Sequence, residues 1–163
     1  MKFLFDLDGT VTSQETLPVI ANHFKCQEEI ADLTKRTVAG NVPFIESFIR
    51  RVNILGKYSV KETSELLAQV PLYPELKQFI DAHRADCIIV TGNLTCWCEG
   101  LFKKIGCQCY GSSAELDGDH VVMHIPYGIK DPSSLAMCVT ASTRTNCVHS
   151  LPSTEQHKVL KNA

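Results

Sequence analysis

Two short apolar runs stand out along the chain, and each ends in polar residues. The first, residues 2–7, predicts a buried strand whose carboxyl end leads into acidic side chains. The second, Cys87–Val90, has no polar position, which is typical of a central strand in a parallel sheet that is buried on both faces. We predict that this second strand ends at Thr91, Gly92 and Asn93.

Between the two runs the apolar residues recur at helical spacing, and no strand is predicted. The first helix is expected to carry Leu17, Ile20, Ala21 and Phe24 on one face, and the second to cover residues 27–38, with Gly40 as its stop. Pro43 can occupy the first turn of the next helix, and Ser59, three residues before a glutamate, forms a capping box that begins a fourth. Residues 13–70 are therefore predicted to form an all-helical insertion, or cap.

After residue 70, helical and strand-like segments alternate. A helix is expected to begin at Pro74, and a strongly amphipathic helix after the second apolar run is expected to stop at Gly106. The pair Asp117-Gly118 predicts the turn of a β-hairpin. From Pro132 onward the chain is rich in Ser and Thr and has little hydrophobic periodicity. The alternation favours an α/β fold, a doubly wound parallel sheet with helices on both faces.

The predicted organisation is one α/β domain that carries an insertion. The core comprises residues 1–12 and 71–131, the helical cap residues 13–70, and an atypical tail residues 132–163. Open parallel sheets bind ligands beside the carboxyl ends of their strands. The polar residues that follow the two apolar runs are therefore the candidates for a functional site.

The composition is that of an ordinary globular protein, with 44% hydrophobic and 21% charged residues. A net charge of −2 argues against a nucleic-acid partner, and no uncharged apolar run is long enough to span a membrane. Because acidic residues directly follow the first five, we expect no secretory signal and a cytoplasmic protein. The eight cysteines are then expected to be thiols and not disulfides.

The strongest chemical signal lies directly after the first strand. Asp6 and Asp8 are separated by one residue, so both can face an open crevice if the backbone turns, and Gly9 permits that turn. Carboxylate oxygens suit Mg²⁺, and two carboxylates can divide attack on phosphorus from proton transfer. The alternative is an acidic turn that only joins a strand to a helix. The complete segment favours the chemical interpretation: Asp6-Leu7-Asp8-Gly9-Thr10-Val11-Thr12.

This segment resembles the first motif of the haloacid dehalogenase-like hydrolase superfamily, Asp-x-Asp-Gly-Thr/Val. The resemblance implies a Mg²⁺-dependent phosphotransferase with Asp6 as the nucleophile and Asp8 as the general acid/base. It also implies that the Asp6 carboxylate and the Asp8 main-chain carbonyl bind the metal. The second family motif is a Thr or Ser at the end of a later strand. Thr91 matches it, with Gly92 and Asn93 placed to bind the phosphoryl group.

Within that superfamily, the helical segment is similar to the cap of phosphoserine phosphatases. Carried over, Glu15 would meet a substrate ammonium group and Arg51 a substrate carboxylate, which suits a guanidinium fork. The alternative for Arg51 is an exposed helix face that it shares with Arg50. Asn93 departs from the second glycine that is usual in these enzymes. The expected substrate is therefore a small phosphorylated metabolite that resembles phosphoserine.

The later motifs of the family are matched less well. Lys130 is the best-placed candidate for the lysine that offsets charge at the nucleophile, and the alternative is a solvated loop lysine. The fourth motif, Gly-Asp-Gly-x-x-Asp, does not occur after Asp131. The alternative function is therefore a weak or inactive phosphatase that only binds a phosphorylated ligand or partner. We also expect the sheet edge beside Cys87–Val90 to lack a partner strand.

A third interpretation concerns four cysteines that could form a zinc site. The usual spacing of such ligands is Cys-x₂-Cys, and residues two apart on a helix point to different sides. Buried or free thiols are therefore favoured for Cys96, Cys98, Cys107 and Cys109.

Overall fold

The computed structural model of the chain describes residues 2–122, and Lys130, Asp131 and the predicted tail lie outside these residues. Between the first strand and the first helix the chain makes one wide turn. The elements in chain order are β1 (Phe3–Asp6), α1 (Thr16–His23), α2 (Gln27–Val38), α3 (Phe44–Leu55), α4 (Val60–Ala68), α5 (Pro74–Ala82), β2 (Cys87–Leu94), α6 (Thr95–Ile105), β3 (Gln108–Ser112), β4 (Glu115–Asp117) and β5 (His120–Val122).

Strands β1, β2 and β3 form a parallel sheet with β2 at its centre. Asp6 pairs with Val90, and Val90 pairs with Tyr110, so the carboxyl ends of the three strands lie at one edge. The predicted α/β fold with a parallel sheet is confirmed. The predicted open edge beside Cys87–Val90 is wrong, because β1 and β3 pair with that strand on its two sides.

Strand β2 runs further than the sequence predicted. It continues over Thr91–Leu94, and its pairing with β3 shifts register between Val90 and Leu94. The Ser112 hydroxyl donates to the Gly92 carbonyl at 2.8 Å across this irregularity. The predicted end of the strand at Thr91 is therefore wrong, because the bulged segment keeps a partner in β3.

One cluster of buried side chains fills the space between a single face of the sheet and the helices. Phe79 of α5 contacts Phe3 and Phe5 edge-on, with ring centroids 5.0 and 6.1 Å apart. Successive strand residues face opposite sides, and within residues 2–122 Leu4 and Val90 lie outside this cluster. Helix α6 contributes the buried stripe that the sequence predicted: Trp97, Cys98, Leu101 and Ile105.

Helices α1–α4 follow one another without a strand, as predicted for this part of the described chain. The bounds of α2 are those expected, and Gly40 after it has a φ of +75°. The Ser59 hydroxyl accepts from the Glu62 amide at 2.9 Å, which confirms one half of the capping box. The Glu62 carboxylate contacts His23 Nε2 at 2.8 Å and so takes a partner on α1.

Two connecting segments join α1–α4 to the sheet, and they run side by side. Thr12 and Leu72 form an isolated antiparallel bridge. The Ser13 amide donates to the Pro71 carbonyl at 3.0 Å. The helical segment therefore leaves and rejoins the α/β core at one place.

Strands β4 and β5 form the predicted hairpin, and Gly118 in its turn has a φ of +60°. The hairpin lies against the start of α4. The Val60 amide donates to the Asp119 carbonyl at 2.8 Å, and the Val121 amide donates to the Gly56 carbonyl at 3.0 Å. The hairpin, which follows β3 in the chain, thus contacts the helical segment that lies between β1 and β2.

No helix among residues 2–122 is long and apolar enough to cross a membrane. The six cysteines of this part are all free thiols, as predicted. In the same residues, no three His, Cys, Asp or Glu side chains are grouped so as to hold a metal ion. The alternative zinc site is therefore wrong for Cys96, Cys98, Cys107 and Cys109.

Candidate active site

The carboxyl end of β1 passes into a wide turn formed by the acidic motif. The Thr12 amide and hydroxyl both donate to the Leu7 carbonyl at 3.0 Å and close the turn. Gly9 has a φ of +68°, a backbone conformation that favours glycine. The predicted turn at Gly9 is confirmed, and it leaves Asp6 and Asp8 within electrostatic range of each other.

Asp8 caps helix α1 from across this turn. Its Oδ1 accepts from the Thr16 amide at 2.7 Å and from the Thr16 hydroxyl at 2.6 Å. Thr16 is fully buried and Asp8 is half-buried, so both bonds are partly shielded from water. Hydrogen bonds to a charged carboxylate are short and directional. The pair therefore fixes the orientation of Asp8 beside Asp6.

Asn93 joins this cap to the end of β2. Its side-chain amide donates to the Thr16 hydroxyl, and its side-chain carbonyl accepts from the Leu94 amide at 2.9 Å. The Asn93 main-chain amide donates to the Thr91 hydroxyl at 3.1 Å. A continuous network thus runs from Asp8 through Thr16 and Asn93 to Thr91. The polar groups of Asn93 contact the protein, and its predicted contact with a phosphoryl group stays a prediction.

Three carboxylates crowd together at this edge of the sheet. A Cβ atom on Gly9 would lie 3.3 Å from Glu15 Oε1, so the Glu15 side chain reaches over the turn. Burial raises the pKa of Asp6; a hydrogen bond from the Leu7 amide opposes the rise and repulsion from Asp8 adds to it. Partial burial, then Asp8 and Asp6, raise the pKa of Glu15. The cluster concentrates negative charge and favours a cation.

The donor atoms of this cluster fit Mg²⁺, which binds oxygen ligands and keeps several waters. Burial is the main cause of the raised pKa of Asp6, and repulsion from Asp8 adds to it; a bound cation would favour the charged form. Within residues 2–122, however, no three His, Cys, Asp or Glu side chains are grouped so as to hold a metal ion. The carboxylates Asp6, Asp8 and Glu15 therefore interact electrostatically without forming a closed ligand set.

Arg51 lies on α3, and its described contacts stay within that helix. Its Nε donates to the Ser47 carbonyl at 3.3 Å and its Nη2 to the Ser47 hydroxyl at 3.0 Å, with the guanidinium 6.0 Å from the Phe44 ring centroid. Burial lowers the pKa of Arg51. Among the ion pairs of the described chain Arg50 has a partner, Glu46, and Arg51 has none. The exposed helix face proposed as the alternative thus fits Arg50 and not Arg51.

Sequence analysis missed Thr16, which connects the two motifs. The available signal was a hydroxyl residue at the start of the helix that follows the acidic motif, where helix amides need acceptors. The structure brings Asp6, Asp8 and Glu15 together. Thr91 joins them through the network, and no described bond connects Arg51 to them. Lys130 lies outside the described residues.

Comparisons with known proteins identify the family of the chain. Residues 3–134 match the family model described as haloacid dehalogenase-like hydrolase. A phosphoserine phosphatase from Campylobacter jejuni subsp. doylei is 28% identical over 106 residues, which cover 63% of this chain and 51% of that protein. A phosphoserine phosphatase from Saccharomyces cerevisiae is 25% identical over 122 residues, 72% of this chain and 40% of that protein.

Solved structures share the fold. A haloacid dehalogenase family hydrolase from Salmonella enterica serovar Typhi superposes with a TM-score of 0.67 at 20% identity, covering 76% of this chain and 45% of that one. A phospho-aspartyl intermediate analogue of phosphoserine phosphatase superposes with a TM-score of 0.58 at 20% identity, covering 72% and 58%. The chain thus spans about half the length of the first relatives and structures that it matches.

Proposed function

The chain belongs to the haloacid dehalogenase-like hydrolase family, and from that premise we propose that it hydrolyses a phosphomonoester of a small metabolite through a phosphorylated aspartate. The observation that carries the proposal is the buried network from Asp8 through Thr16 and Asn93 to Thr91. It holds the two motifs of such a reaction at the carboxyl edge of one sheet, next to Asp6. Open parallel sheets bind their ligands at this edge.

In the proposed reaction Asp6 attacks phosphorus and Asp8 transfers protons. An Asp6 carboxylate oxygen forms the new bond to phosphorus, and the ester oxygen leaves with a proton from Asp8. Water then attacks the phosphorylated Asp6, and Asp8 takes the proton back. Both bonds from Thr16 use Oδ1 of Asp8, so this proton moves through Oδ2.

Mg²⁺ is the proposed metal, held by the Asp6 carboxylate and the Asp8 main-chain carbonyl as the family motif implies. When bound, it would offset negative charge on the transferring phosphoryl group. The chain's own part is to hold Asp6 as an anion beside Asp8. The burial that raises the pKa of Asp6, together with repulsion from Asp8, opposes this ionisation, and a cation favours it.

We propose that helices α1–α4 act as a cap over this site and select the substrate. Glu15 lies against the turn of the first motif, where it suits an ammonium group of the substrate. Arg51 is half-buried and has no carboxylate partner among the described ion pairs, which suits a substrate carboxylate. The substrate class is then a phosphorylated amino acid, as for the enzymes named phosphoserine phosphatase.

The remaining parts of the proposal rest on the sequence. Lys130 is proposed to offset charge at Asp6. We also propose a small metabolite as the partner and a cytoplasmic location, with no membrane involved; the net charge of −2 argues against a nucleic-acid partner.

A second function is favoured by one sequence observation. Residues 132–163 contain no Gly-Asp-Gly-x-x-Asp, so these residues do not supply the metal carboxylates of the fourth family motif. On that ground the chain binds a phosphorylated ligand through Thr91 and the α6 end of β2, with weak turnover or none.

The test is an assay of residues 1–163 with Mg²⁺ on a panel of small phosphomonoesters, with Asp6→Asn beside the parent chain. If Asp6 is the nucleophile, Asp6→Asn lowers turnover by several orders of magnitude. Asp32→Asn is the matched control, because Asp32 lies on α2 and pairs only with Arg36 on the surface. Turnover that survives Asp6→Asn would contradict the mechanism. Ligand binding without turnover in the parent chain would favour the second function.

Substrate selection is tested with Arg51→Ala and with Arg50→Ala as its control. Loss of a charge-assisted hydrogen bond, about 1.5–3 kcal/mol, lowers kcat/KM on amino-acid phosphates by about tenfold or more. A substrate without a carboxylate, such as p-nitrophenyl phosphate, is expected to be hydrolysed as before. Equal losses on both substrates would mean that Arg51 only supports the structure of α3.

A further inference from the structure

Three cysteines lie together at the amino ends of β2 and β3, at the opposite edge of the sheet from the carboxylates. Ile88 pairs with Gln108, so Cys87 and Cys107, one residue earlier on each segment, are neighbours across the two strands. Cys109 follows two residues later on β3. These thiols have no part in the function proposed above.

Cys107 and Cys109 contact each other directly. The Cys109 thiol donates to the Cys107 carbonyl at 3.4 Å, and the Cys107 thiol donates to the Gln108 carbonyl at 3.7 Å. The two thiols are close enough to shift each other's pKa. Both side chains are partly exposed, whereas Cys87 is 1% exposed. Reagents in solution can therefore reach Cys107 and Cys109, while Cys87 is shielded.

Basic side chains lie beside Cys107. A Cβ atom on Gly106 would lie 3.6 Å from the Arg84 guanidinium carbon. Arg84 and Lys77 both pair with Asp81, so these three groups together carry one net positive charge. On the far side of Cys87, Lys2 pairs with Asp86 at 3.5 Å and adds no net charge.

These neighbours shift the pKa values of Cys107 and Cys109 in opposite directions. The hydrogen bond from Cys109 lowers the pKa of Cys107; burial opposes this, and Arg84 and Lys77 lower it further. The same bond from Cys109 to Cys107, together with burial, raises the pKa of Cys109. A partly exposed thiol beside positive charge is the setting of a reactive cysteine.

We propose that Cys107 is a site of thiol–disulfide exchange with small disulfides, and that Cys109 is the second thiol that resolves the product. The Cys107 thiolate attacks one sulfur of the small disulfide. A mixed disulfide forms, the original S–S bond breaks, and one small thiolate leaves and takes a proton from water. Cys109 then loses its proton to water and attacks the Cys107 sulfur, which releases the second small thiolate.

The electrons balance over these two steps. Cys107 and Cys109 together lose two electrons and become one internal disulfide. The small disulfide gains the two electrons and becomes two thiols. The sheet edge would thus carry a reversible modification on strand β3, away from Asp6.

Cys96 provides a control within the same chain. It is partly exposed like Cys107, but burial raises its pKa, with main-chain hydrogen bonds opposing the rise. The two thiols therefore have similar access and differ in their charge surroundings. A faster reaction at Cys107 would then reflect its neighbours, Cys109 first and the basic groups Arg84 and Lys77 after it.

The experiment treats residues 1–163 with oxidised glutathione and follows each cysteine by peptide mass spectrometry. Cys138 and Cys147 lie outside the described residues and are replaced by serine in a parallel series. We expect Cys107 to react at least about threefold faster than Cys96, because a lower pKa increases the thiolate fraction more than it weakens the nucleophile. The expected final product has an internal disulfide between Cys107 and Cys109.

Two variants separate the steps. Cys109→Ser is expected to stop the reaction at the mixed disulfide on Cys107, and Arg84→Gln to slow its formation by about threefold. Circular dichroism of each variant confirms that the fold is retained. Equal rates at Cys96 and Cys107, an unchanged rate in Arg84→Gln, or absence of the internal disulfide in the parent chain would each overturn the proposal.

Discussion

In two helices of the α1–α4 segment, a first-turn amide donates a hydrogen bond to a carboxylate that lies outside the helix. Helix α1 begins on Asp8, which accepts from the Thr16 amide. Helix α4 begins on Asp119 of the hairpin, which accepts from the Lys61 amide at 2.9 Å. In both places a hydroxyl residue also donates to the carboxylate, Thr16 in the first and Ser59 in the second. The same capping chemistry therefore attaches the helical segment to the core twice.

The two attachments differ in burial and in what lies behind them. Thr16 is fully buried and Asn93 is 5% exposed, whereas the bonds of Asp119 are at the surface. Behind Thr16 the network continues to the motif on β2, while the surface cap ends at the hairpin. The buried cap of α1 therefore also connects Asp8 to Thr91, the two motifs of the proposed active site. Water can replace the other cap at small cost.

The largest effect is expected from Thr16→Val, which breaks the buried attachment. Valine keeps the shape of the side chain but removes the donor to Asp8 and the acceptor for Asn93. Each buried polar group left without a partner costs about 1–3 kcal/mol, so we expect the free energy of unfolding to fall by about 2–3 kcal/mol. Urea unfolding of the parent chain and the variant measures the change.

Thr16→Ser is the matched control, because it keeps the hydroxyl. If the network also orients Asp8, Thr16→Val lowers phosphatase turnover by about tenfold or more, while Thr16→Ser stays near the parent value. A Thr16→Val variant as stable as the parent chain would mean that the hydroxyl contributes nothing to the buried attachment.

Asn93→Leu is expected to have the next largest effect. It removes the donor to Thr16 and the acceptor for the Leu94 amide together. Leucine fills similar volume and Asp8 keeps its two bonds from Thr16, so the loss is expected at about 1–2 kcal/mol. Asn53→Leu is the control, since Asn53 is exposed on α3. A variant as stable as the parent would contradict the link between the two motifs.

Asp119→Ala tests the surface attachment and is expected to have a smaller effect. It removes the acceptor for the Lys61 amide, but water can take its place. We expect a fall in Tm of a few degrees at most and unchanged turnover. Calorimetry of Asp119→Ala beside Asp117→Ala, at the other side of the same turn, measures it. A loss as large as that of Thr16→Val would mean that burial is not what separates the two attachments.

The local parts of the surface attachment were predictable from sequence, but neither attachment was predicted as a contact, since Asp119 lies 60 positions from Ser59. The capping serine Ser59, the glycine stop at Gly106 and the hairpin turn at Gly118 each depend on residues within a few positions. Asn93 and Thr16 are separated by 77 positions. Their contact arises only when the ends of β1 and β2 are side by side in the sheet, so no local pattern reveals it.

Strand β3 was missed for a related reason. Its sequence, Gln-Cys-Tyr-Gly-Ser, has no apolar run, and its strand conformation depends on pairing with β2. Gly111 allows that close approach, because a Cβ atom there would lie 2.7 Å from the Asn93 carbonyl. The motifs at Asp6 and Thr91 were predictable because each combines a strand end with chemistry-bearing residues in one short segment.

The smallest expected effect is a difference in how the carboxylates at the starts of α1 and α4 make stability depend on pH. Partial burial and the neighbours Asp8 and Asp6 raise the pKa of Glu15, which precedes α1. Hydrogen bonds from Ser59 and the Lys61 amide lower the pKa of Asp119. A raised carboxyl pKa destabilises the folded chain at neutral pH, and this penalty is lost as the pH falls through the raised pKa towards 4.5, the ordinary value. A lowered pKa stabilises the folded chain above 3.8, and this gain is lost as the pH falls below it.

The isosteric amides Glu15→Gln and Asp119→Asn should therefore shift Tm in opposite directions at pH 7. Glu15→Gln is expected to raise Tm, because it removes a charge from the acidic cluster at α1. Asp119→Asn is expected to lower it, because an amide oxygen is the weaker acceptor at α4. At about pH 4 the Glu15 difference should have nearly vanished while most of the Asp119 difference remains, since their titrations lie on opposite sides of that pH. Tm shifts of the same sign in both variants at pH 7 would contradict the prediction that the Glu15 charge destabilises the folded chain while the Asp119 charge stabilises it.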